Sequence, residues 1–354
     1  MTTACLDPVD ELTRRRFLTG AGVLGVLTVL PTSASGQEAG GAATSDAFPV
    51  TVEHKFGSTE VTEEPARVVV VGVIEQEPML ALGVVPVATT RFRPDVYPGE
   101  IYPWAQDELG DAEPPQAVEY TDGYQFEQIA ALRPDLILGL YSPMSQEDYD
   151  VLAQIAPTVA QPVEYPDFGV PWQEMTRIVG RLLGRAAPAE ELVAGVEMRF
   201  AQERAEHPEF EGETALLVYP QEDGTYFLYG PQDTRARILS SLGFAPPDGL
   251  DEVAGDGYGG SISTETPELL DVGALVLFAE PEIRAELHAD PLYSGLAVKT
   301  EGREVFIGAE DPLDIPMGGF ITVLSLPFLL DRLVPRLAAA VDGDPATEVP
   351  APAG

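Results

Sequence analysis

Cysteine is nearly absent from this chain of 354 residues, which contains one, Cys5. A single cysteine forms no intramolecular disulfide and no thiolate cluster for a metal. The three histidines, His54, His207 and His288, are far apart and show no metal-site spacing. Residues 255–260 are glycine-rich but lack the Lys-Ser/Thr of a phosphate-binding loop, and no serine lies in a Gly-x-Ser-x-Gly elbow. We therefore expect no metal site, no cofactor and no catalytic residue, and a flexible stretch at 255–260.

Lysine is also scarce, with Lys55 and Lys299 the only two, and the acidic residues far outnumber the basic ones. The chain has 58 Asp and Glu against 20 Lys and Arg, which gives a formal net charge of −38. Nucleic acid and anionic lipid would be repelled by such a surface, so we exclude both as partners. Nearly every cation is an arginine, the side chain that can hold an anion in a two-pronged contact.

Long apolar runs are missing except at residues 18–30, which is shorter than the roughly 20 residues that a membrane-spanning helix needs. The run follows Arg14, Arg15 and Arg16 and precedes a segment of small residues. This order is typical of a twin-arginine export signal. No cysteine follows the run, so no lipid anchor is predicted. We expect a mature chain that begins near Gln37 and works in the periplasm or at the outer face of the cell envelope.

Short apolar runs alternate with helical patterns through most of the chain, which is typical of a parallel sheet covered by helices on both faces. The alternation stops at residues 172–183 and 188–206, which carry two helical patterns with no strand between them, and then resumes. We predict an α/β fold of two Rossmann-like lobes with mostly parallel sheets, joined by one long backbone helix. The predicted strands are 67–71, 84–88, 135–138, 158–160, 214–218, 225–228, 274–278 and 304–307.

Composition and pattern together divide the chain into six segments. They are the export signal (1–36), a flexible linker (37–48), an N-terminal lobe (49–187), the interlobe backbone helix (188–207), a C-terminal lobe (208–342) and a disordered tail (343–354).

Several segments of the chain resemble the solute-binding proteins of iron-siderophore ABC importers, the helical-backbone class that also includes cobalamin and haem binders. The similarity spans roughly residues 50 to 342. It implies two lobes bridged by a rigid helix, a ligand groove between them and small opening motions. The matching segments are Arg-Val-Val-Val-Val at 67–71, Ala-Leu-Gly-Val-Val-Pro-Val at 81–87, Phe-Glu-Gln-Ile-Ala-Ala-Leu-Arg-Pro-Asp-Leu-Ile-Leu at 126–138, and shorter ones at 141–142, 147–149, 155–158, 172–174 and 326–332.

The resemblance also implies that one surface glutamate in each lobe docks onto arginines of the membrane permease. Glu127 precedes the Ile-Ala-Ala-Leu-Arg-Pro-Asp segment, and Glu265 lies in a Ser-x-Glu turn, so these two match the family pattern. The alternative is that both are ordinary acids in the first turn of a helix, where the helix dipole stabilises them.

Candidate ligand-binding residues follow the ends of predicted strands, where open α/β sheets place their binding loops. A ferric siderophore is bulky, partly apolar and often anionic, so aromatic side chains and arginines suit it. Each candidate could instead be a packed aromatic or a surface arginine. The candidates are Arg91, Arg93, Trp104 and Tyr141 on the first lobe and Tyr219, Tyr229, Arg235 and Tyr258 on the second, with Phe92 and Arg237 beside them.

The sequence thus predicts a monomeric binding protein, not an enzyme, that captures a ferric siderophore and delivers it to an ABC permease. A haem or cobalamin binder of the same fold is one alternative, and an enzyme exported by the twin-arginine route is another. The type of siderophore stays open. Arginines in the groove would favour anionic catecholates or carboxylates, whereas an acidic groove would favour a cationic hydroxamate.

Overall fold

Two five-stranded sheets organise the part of the chain that the computed structural model describes, residues 48–92, 97–120, 122–255 and 257–350. The predicted export signal lies outside these residues, as does almost all of the predicted linker. None of the helices within the described ranges combines the length and apolar character that crossing a membrane requires.

The first sheet is entirely parallel, in the order β5-β4-β3-β6-β7. Its central strands are buried on both faces because helices cover them, which explains their continuous apolar sequence. An antiparallel hairpin of β1 and β2 precedes this sheet, with Val50 opposite Val61. The strands are β1 (Val50–His54), β2 (Gly57–Val61), β3 (Val68–Val70), β4 (Ala88–Arg91), β5 (Gln116–Glu119), β6 (Leu136–Gly139) and β7 (Thr158–Ala160).

The second sheet is mixed, in the order β10-β9-β8-β11-β12. Strands β8, β11 and β12 are parallel, while β9 runs antiparallel to both β8 and β10. The strands are β8 (Ala215–Pro220), β9 (Thr225–Tyr229), β10 (Gly259–Ser263), β11 (Ala274–Phe278) and β12 (Glu304–Ile307).

Twelve α-helices lie in the described ranges. They are α1 (Gln76–Ala81), α2 (Gln106–Leu109), α3 (Phe126–Ala131), α4 (Gln146–Leu152), α5 (Trp172–Leu182), α6 (Ala186–Glu206), α7 (Ala236–Ser241), α8 (Leu250–Ala254), α9 (Pro281–Ala289), α10 (Ala297–Thr300), α11 (Asp314–Met317) and α12 (Ser325–Val341). Short 3-10 turns at Pro98–Glu100, Pro103–Ala105, Pro208–Phe210, Pro267–Leu270 and Tyr293–Gly295 separate some of them.

Helix α6 connects the two lobes by packing into both of their cores. Its first turns bury Ala189 in the core of the first lobe, and its later turns bury Val196 and Phe200 in the core of the second. Helix α5 lies close beside α6, because Gly180 leaves room for Ala189 where a Cβ would overlap it. The predicted fold class of two α/β lobes joined by a long helix is confirmed.

Two local predictions differ from the structure. Strand β4 begins at Ala88, where the prediction of 84–88 ends, because residues 84–87 follow the left-handed Gly83 and only then join the sheet. The expected flexibility of residues 255–260 is wrong for Gly259 and Gly260, which pair with Tyr229 and Leu228 in β10. A Cβ at either glycine would overlap a neighbouring backbone carbonyl, so the glycines permit close pairing.

The predicted division into segments stays a prediction, including the disordered tail at 343–354. Val349 packs against the core of the second lobe, and residues 351–354 lie outside the described ranges.

A buried ion pair fixes the long loop between β12 and α12. Arg336 donates from Nη1 to Asp311 Oδ2 at 2.6 Å and from Nη2 to Oδ1 at 3.2 Å. Both side chains are almost fully buried, at 3% and 4% exposure. The backbone N–H of Leu313 also donates to Asp311, so the carboxylate orders the start of α11.

Replacing Arg336 by Met should lower the free energy of unfolding by about 3–5 kcal/mol, because the Asp311 carboxylate would be left buried and unpaired. Urea unfolding followed by circular dichroism measures the change. The control Asp331→Asn breaks the exposed contact of Asp331 with Arg199, 2.8 Å long, and should cost about 0–1 kcal/mol. Equal losses in the two variants would contradict the structural role of the Asp311–Arg336 pair.

Candidate functional site

The loops after β3 and β6 meet at the point where the first sheet reverses its strand order. In open α/β sheets this point forms a crevice outside the carboxyl ends of the strands. Glu75 lies in the first loop, fully buried, and joins the two loops. Its Oε1 accepts from the backbone N–H of Tyr141 at 2.8 Å, and its Oε2 accepts from that of Ile74 at 3.1 Å. A Cβ at Gly72 would overlap the Glu75 carboxylate, so this arrangement requires glycine there.

Tyr141 extends from this crevice to the second lobe. Its hydroxyl lies 3.4 Å from Thr234 Oγ1, and its ring packs edge-on against Phe168 at 5.4 Å between centroids. Arg237 of the second lobe donates from Nη1 to the carbonyl of Gly169 at 3.2 Å. We call these contacts, centred on Tyr141 and Thr234, the seam between the lobes.

An arginine, an aspartate and a tyrosine form the second-lobe side of the seam. Arg235 donates from Nε to Asp233 Oδ1 at 2.8 Å and from Nη2 to Asp233 Oδ2 at 2.7 Å. The guanidinium also lies over the ring of Tyr229, 4.1 Å from its centroid. The Asp233 carboxylate is therefore almost wholly buried beneath a stacked arginine.

Tyr258 brings a buried hydroxyl to the same place. Among the described residues this hydroxyl oxygen has no hydrogen-bond partner, although it is sealed from solvent. Burial raises the pKa of Tyr258, and the neighbouring Tyr141, Asp167 and Asp233 raise it further. Burial likewise raises the pKa of Tyr141 to about 12. Both phenols keep their protons at neutral pH and act as hydrogen-bond donors.

A second contact between the lobes lies around Glu77 at the start of α1. Trp104 donates from Nε1 to Glu77 Oε1 at 2.9 Å, and the Thr322 hydroxyl of the second lobe donates to Glu77 Oε2. Burial raises the pKa of Glu77 to about 8, although both hydrogen bonds lower it, and the charge of Glu108 raises it further. Trp104 also packs on Phe328, 5.3 Å between centroids.

Two cavities formed by the described residues are small, and Tyr229 lines the first of them. One of about 40 Å³ lies inside the second lobe, beside Leu217 and Leu239. Another of about 180 Å³ lies between α5 and α6, where Arg177 and Glu190 face each other. Neither is lined by Tyr141 or Thr234. Within the described ranges no group of three or more His, Cys, Asp or Glu could hold a metal ion.

Residues 100–303 match the family model of the periplasmic binding proteins. The chain belongs to this family. It is 25% identical over 277 residues to the ferric-anguibactin-binding protein FatB of Vibrio anguillarum, an alignment that covers 74% of this chain and 80% of FatB. Two solved structures share its fold, and each alignment covers 83% of this chain and 99% of the solved chain. They are a periplasmic solute binding protein from Mycobacterium smegmatis (33% identity, TM-score 0.72) and PiaA from Streptococcus pneumoniae in complex with ferrichrome (26%, 0.71). The predicted family is confirmed.

The predicted ligand residues of this periplasmic binding protein occupy different places. Tyr141, Tyr229, Arg235 and Tyr258 come together at the seam, and Trp104 lies at the Glu77 contact. Arg91 pairs with Glu119 at 2.8 Å and lies 3.7 Å from Glu100, and Phe92 stacks on Tyr120. Tyr219 is half-buried against the core cluster of the second lobe that includes Tyr229, and Arg93 lies outside the described residues. Their ligand-binding role stays a prediction.

Sequence reasoning missed Glu75, Glu77 and Asp233. Glu75 and Glu77 lie a few residues after a buried strand and Gly72, and Asp233 stands two residues before a candidate arginine. These positions are a signal, but a weak one among 58 acidic residues.

The two glutamates of the predicted docking surface are both exposed. Glu127 lies in the first turn of α3. Glu265 lies in the turn after β10, where its backbone N–H donates to Ser263 Oγ at 3.1 Å. Each lobe therefore presents one of them to solvent, and their docking role stays a prediction.

Glu77→Gln should change how stability depends on pH. The folded protein holds the Glu77 proton with a pKa of about 8 against an ordinary value of 4.5. The unfolded chain therefore releases this proton first, and the free energy of unfolding falls as the pH rises from 4.5 to about 8. Glutamine mimics the protonated form, so the variant should gain roughly 3–5 kcal/mol over the wild type across that window.

Urea unfolding at several pH values measures this gain. Glu127→Gln, a change at an exposed acid, is the control and should leave the wild-type pH dependence intact. Parallel curves for the wild type and Glu77→Gln would show that Glu77 is ionised throughout the window.

Proposed function

We propose that this protein captures a ferric siderophore between its lobes, outside the cytoplasm, and delivers it to an ABC permease. The observation that carries the proposal is the buried Tyr258 hydroxyl at the seam, which has no hydrogen-bond partner among the described residues. A buried, unsatisfied donor costs free energy, so its presence at an interlobe crevice is best explained by a ligand that accepts from it. The names of FatB and of the PiaA complex, which cite ferric anguibactin and ferrichrome, favour the same ligand class.

The chemistry of the seam suits a whole iron chelate. The Tyr229 ring and its edge-on neighbours Phe227 and Phe278 provide an apolar wall, with centroids 5.1 and 6.0 Å away. The hydroxyls of Tyr141, Tyr258 and Thr234 can donate to the oxygen atoms around the iron. Bulky, partly apolar ligands with oxygen acceptors are bound by this combination.

The histidines and tyrosines favour a siderophore over haem. Each histidine is engaged away from the seam: His54 with Thr59 at 3.0 Å, His207 with Glu209 at 2.9 Å and His288 with Glu304 at 3.0 Å. The protonated state of Tyr141 and Tyr258 suits hydrogen bonding to a ligand whose iron is already fully chelated.

A bulky chelate enters only when the lobes part. The hydroxyls of Tyr141 and Thr234 are 3.4 Å apart and both side chains are buried, which leaves no space for a siderophore between them. Opening therefore has to break the seam while α6 keeps the lobes connected.

We also propose that residues 1–36 direct export by the twin-arginine route and that the mature protein acts as a monomer. The arginine cluster, the short apolar run and the small residues after them support the route.

Titration with ferrichrome, followed by quenching of Trp104 and Trp172 fluorescence, tests the binding function. We expect saturable quenching by the ferric form. Tyr258→Phe should weaken binding by about tenfold through loss of one hydrogen bond to the ligand, while the ligand-free variant melts at no lower temperature than the wild type. Tyr226→Phe, a change on the opposite face of β9, is the control. Absence of a saturable response to every ferric chelate tried would refute the function.

Charge reversal at Glu127 and Glu265 tests the docking surface. Each single change to Arg should reduce uptake of radio-labelled ferric chelate by cells about tenfold, because it replaces attraction to permease arginines by repulsion. Binding of the chelate to the purified variants should not change. The change Glu252→Arg, at an exposed residue, is the control for a general charge effect. Uptake at the wild-type rate in both docking variants would contradict the docking role of Glu127 and Glu265.

A further inference from the structure

Asp233 and Arg235 at the seam neutralise each other before any ligand arrives. Asp233 occupies the two-pronged face of the Arg235 guanidinium, and the pair is buried, with side-chain exposures of 3% and 13%. Separating a buried pair to free the arginine for an anion is strongly unfavourable. Arg235 therefore presents little net positive charge to a ligand.

The remaining charges near Tyr258 offer little more to an anion. Asp167 pairs with Lys55 at 2.6 Å, whereas Arg237 is held by the uncharged Gly169 carbonyl and keeps its single positive charge. A chelate carrying several negative charges would lose its hydration here, and the one charge of Arg237 would not match them. It would also approach a chain whose net charge is −38.

Apart from Arg237, the donors described at the seam are uncharged. The hydroxyls of Tyr141, Thr234 and Tyr258 can donate to carbonyl and hydroxamate oxygens, which carry little charge in a neutral complex. Three hydroxamates cancel the charge of ferric iron, whereas three catecholates leave a trianion. Neutral donors satisfy the first kind of ligand and cannot compensate the charge of the second.

We propose, on the basis of the proposed function, that the seam selects uncharged ferric chelates of the tris-hydroxamate kind over anionic tris-catecholates, and that Asp233 sets this selectivity by neutralising Arg235. Asp233 acts through the arginine and is a specificity-determining residue.

The test compares dissociation constants for ferrichrome, which is neutral, and ferric enterobactin, a trianionic tris-catecholate. The wild type should bind ferrichrome at least about tenfold more tightly. In Asp233→Asn the unneutralised Arg235 should shift the ratio of the two affinities by about tenfold toward ferric enterobactin. The control Asp331→Asn removes an equal charge and an arginine contact away from the seam, and should leave the ratio unchanged.

Salt provides a second measurement that needs only the wild type. Raising NaCl from about 50 to about 500 mM should change the affinity for ferrichrome less than threefold, because no net charges are brought together. Tighter binding of ferric enterobactin by the wild type, or an unshifted ratio in a folded Asp233→Asn variant, would overturn the selectivity while leaving the binding function standing. If neither of these chelates nor the cationic ferrioxamine B binds, the binding function itself is overturned.

Discussion

The buried carboxylate of Glu75 is the contact on which the candidate site depends. It accepts the backbone N–H of Tyr141 and so fixes the loop after β6 against the loop after β3. Burial raises the pKa of Glu75 to about 7, and the backbone hydrogen bonds oppose this rise. Burying this carboxylate therefore costs free energy. The loop that it positions, the one after β6, is the one that reaches the other lobe. Gly72 is required for the same arrangement, because any side chain there would displace the Glu75 carboxylate.

One turn of chain links the two contacts between the lobes. Glu75 and Glu77 flank Gln76 at the start of α1, and they support the Tyr141–Thr234 seam and the Thr322 contact respectively. Across the interface, Thr322 follows the loop that the Asp311–Arg336 pair orders. A movement of α1 relative to this loop changes both contacts together. The single helix α6 can therefore serve as the connection while short polar contacts determine whether the lobes are closed.

The sequence was sufficient for the architecture because the architecture rests on local patterns. Buried strands such as β6 are continuous apolar runs, and α6 is a long helical pattern without strand signals, so both were predictable. The pairing of β9 with β10 was not predictable, because it depends on the close approach of Gly259 to a strand that is distant in sequence. The roles of Glu75, Glu77 and Asp233 were also not predictable. Their burial and their hydrogen-bond partners depend on the tertiary structure, and the sequence does not distinguish a buried acidic residue from an exposed one.

The contrast between surface and seam explains why the arginine count alone does not identify the charge of the ligand. Arginine outnumbers lysine in this chain, and from the sequence alone an arginine near the groove would favour an anionic ligand. The structure shows instead that Arg235 is stacked on Tyr229 and clamped by Asp233, so it contributes a planar surface more than a charge. An acidic protein keeps such an arginine ordered easily, because carboxylates are plentiful. In the selectivity that we propose, the neutral phenols, whose protons burial retains, set the ligand preference, and the negative surface repels anionic competitors.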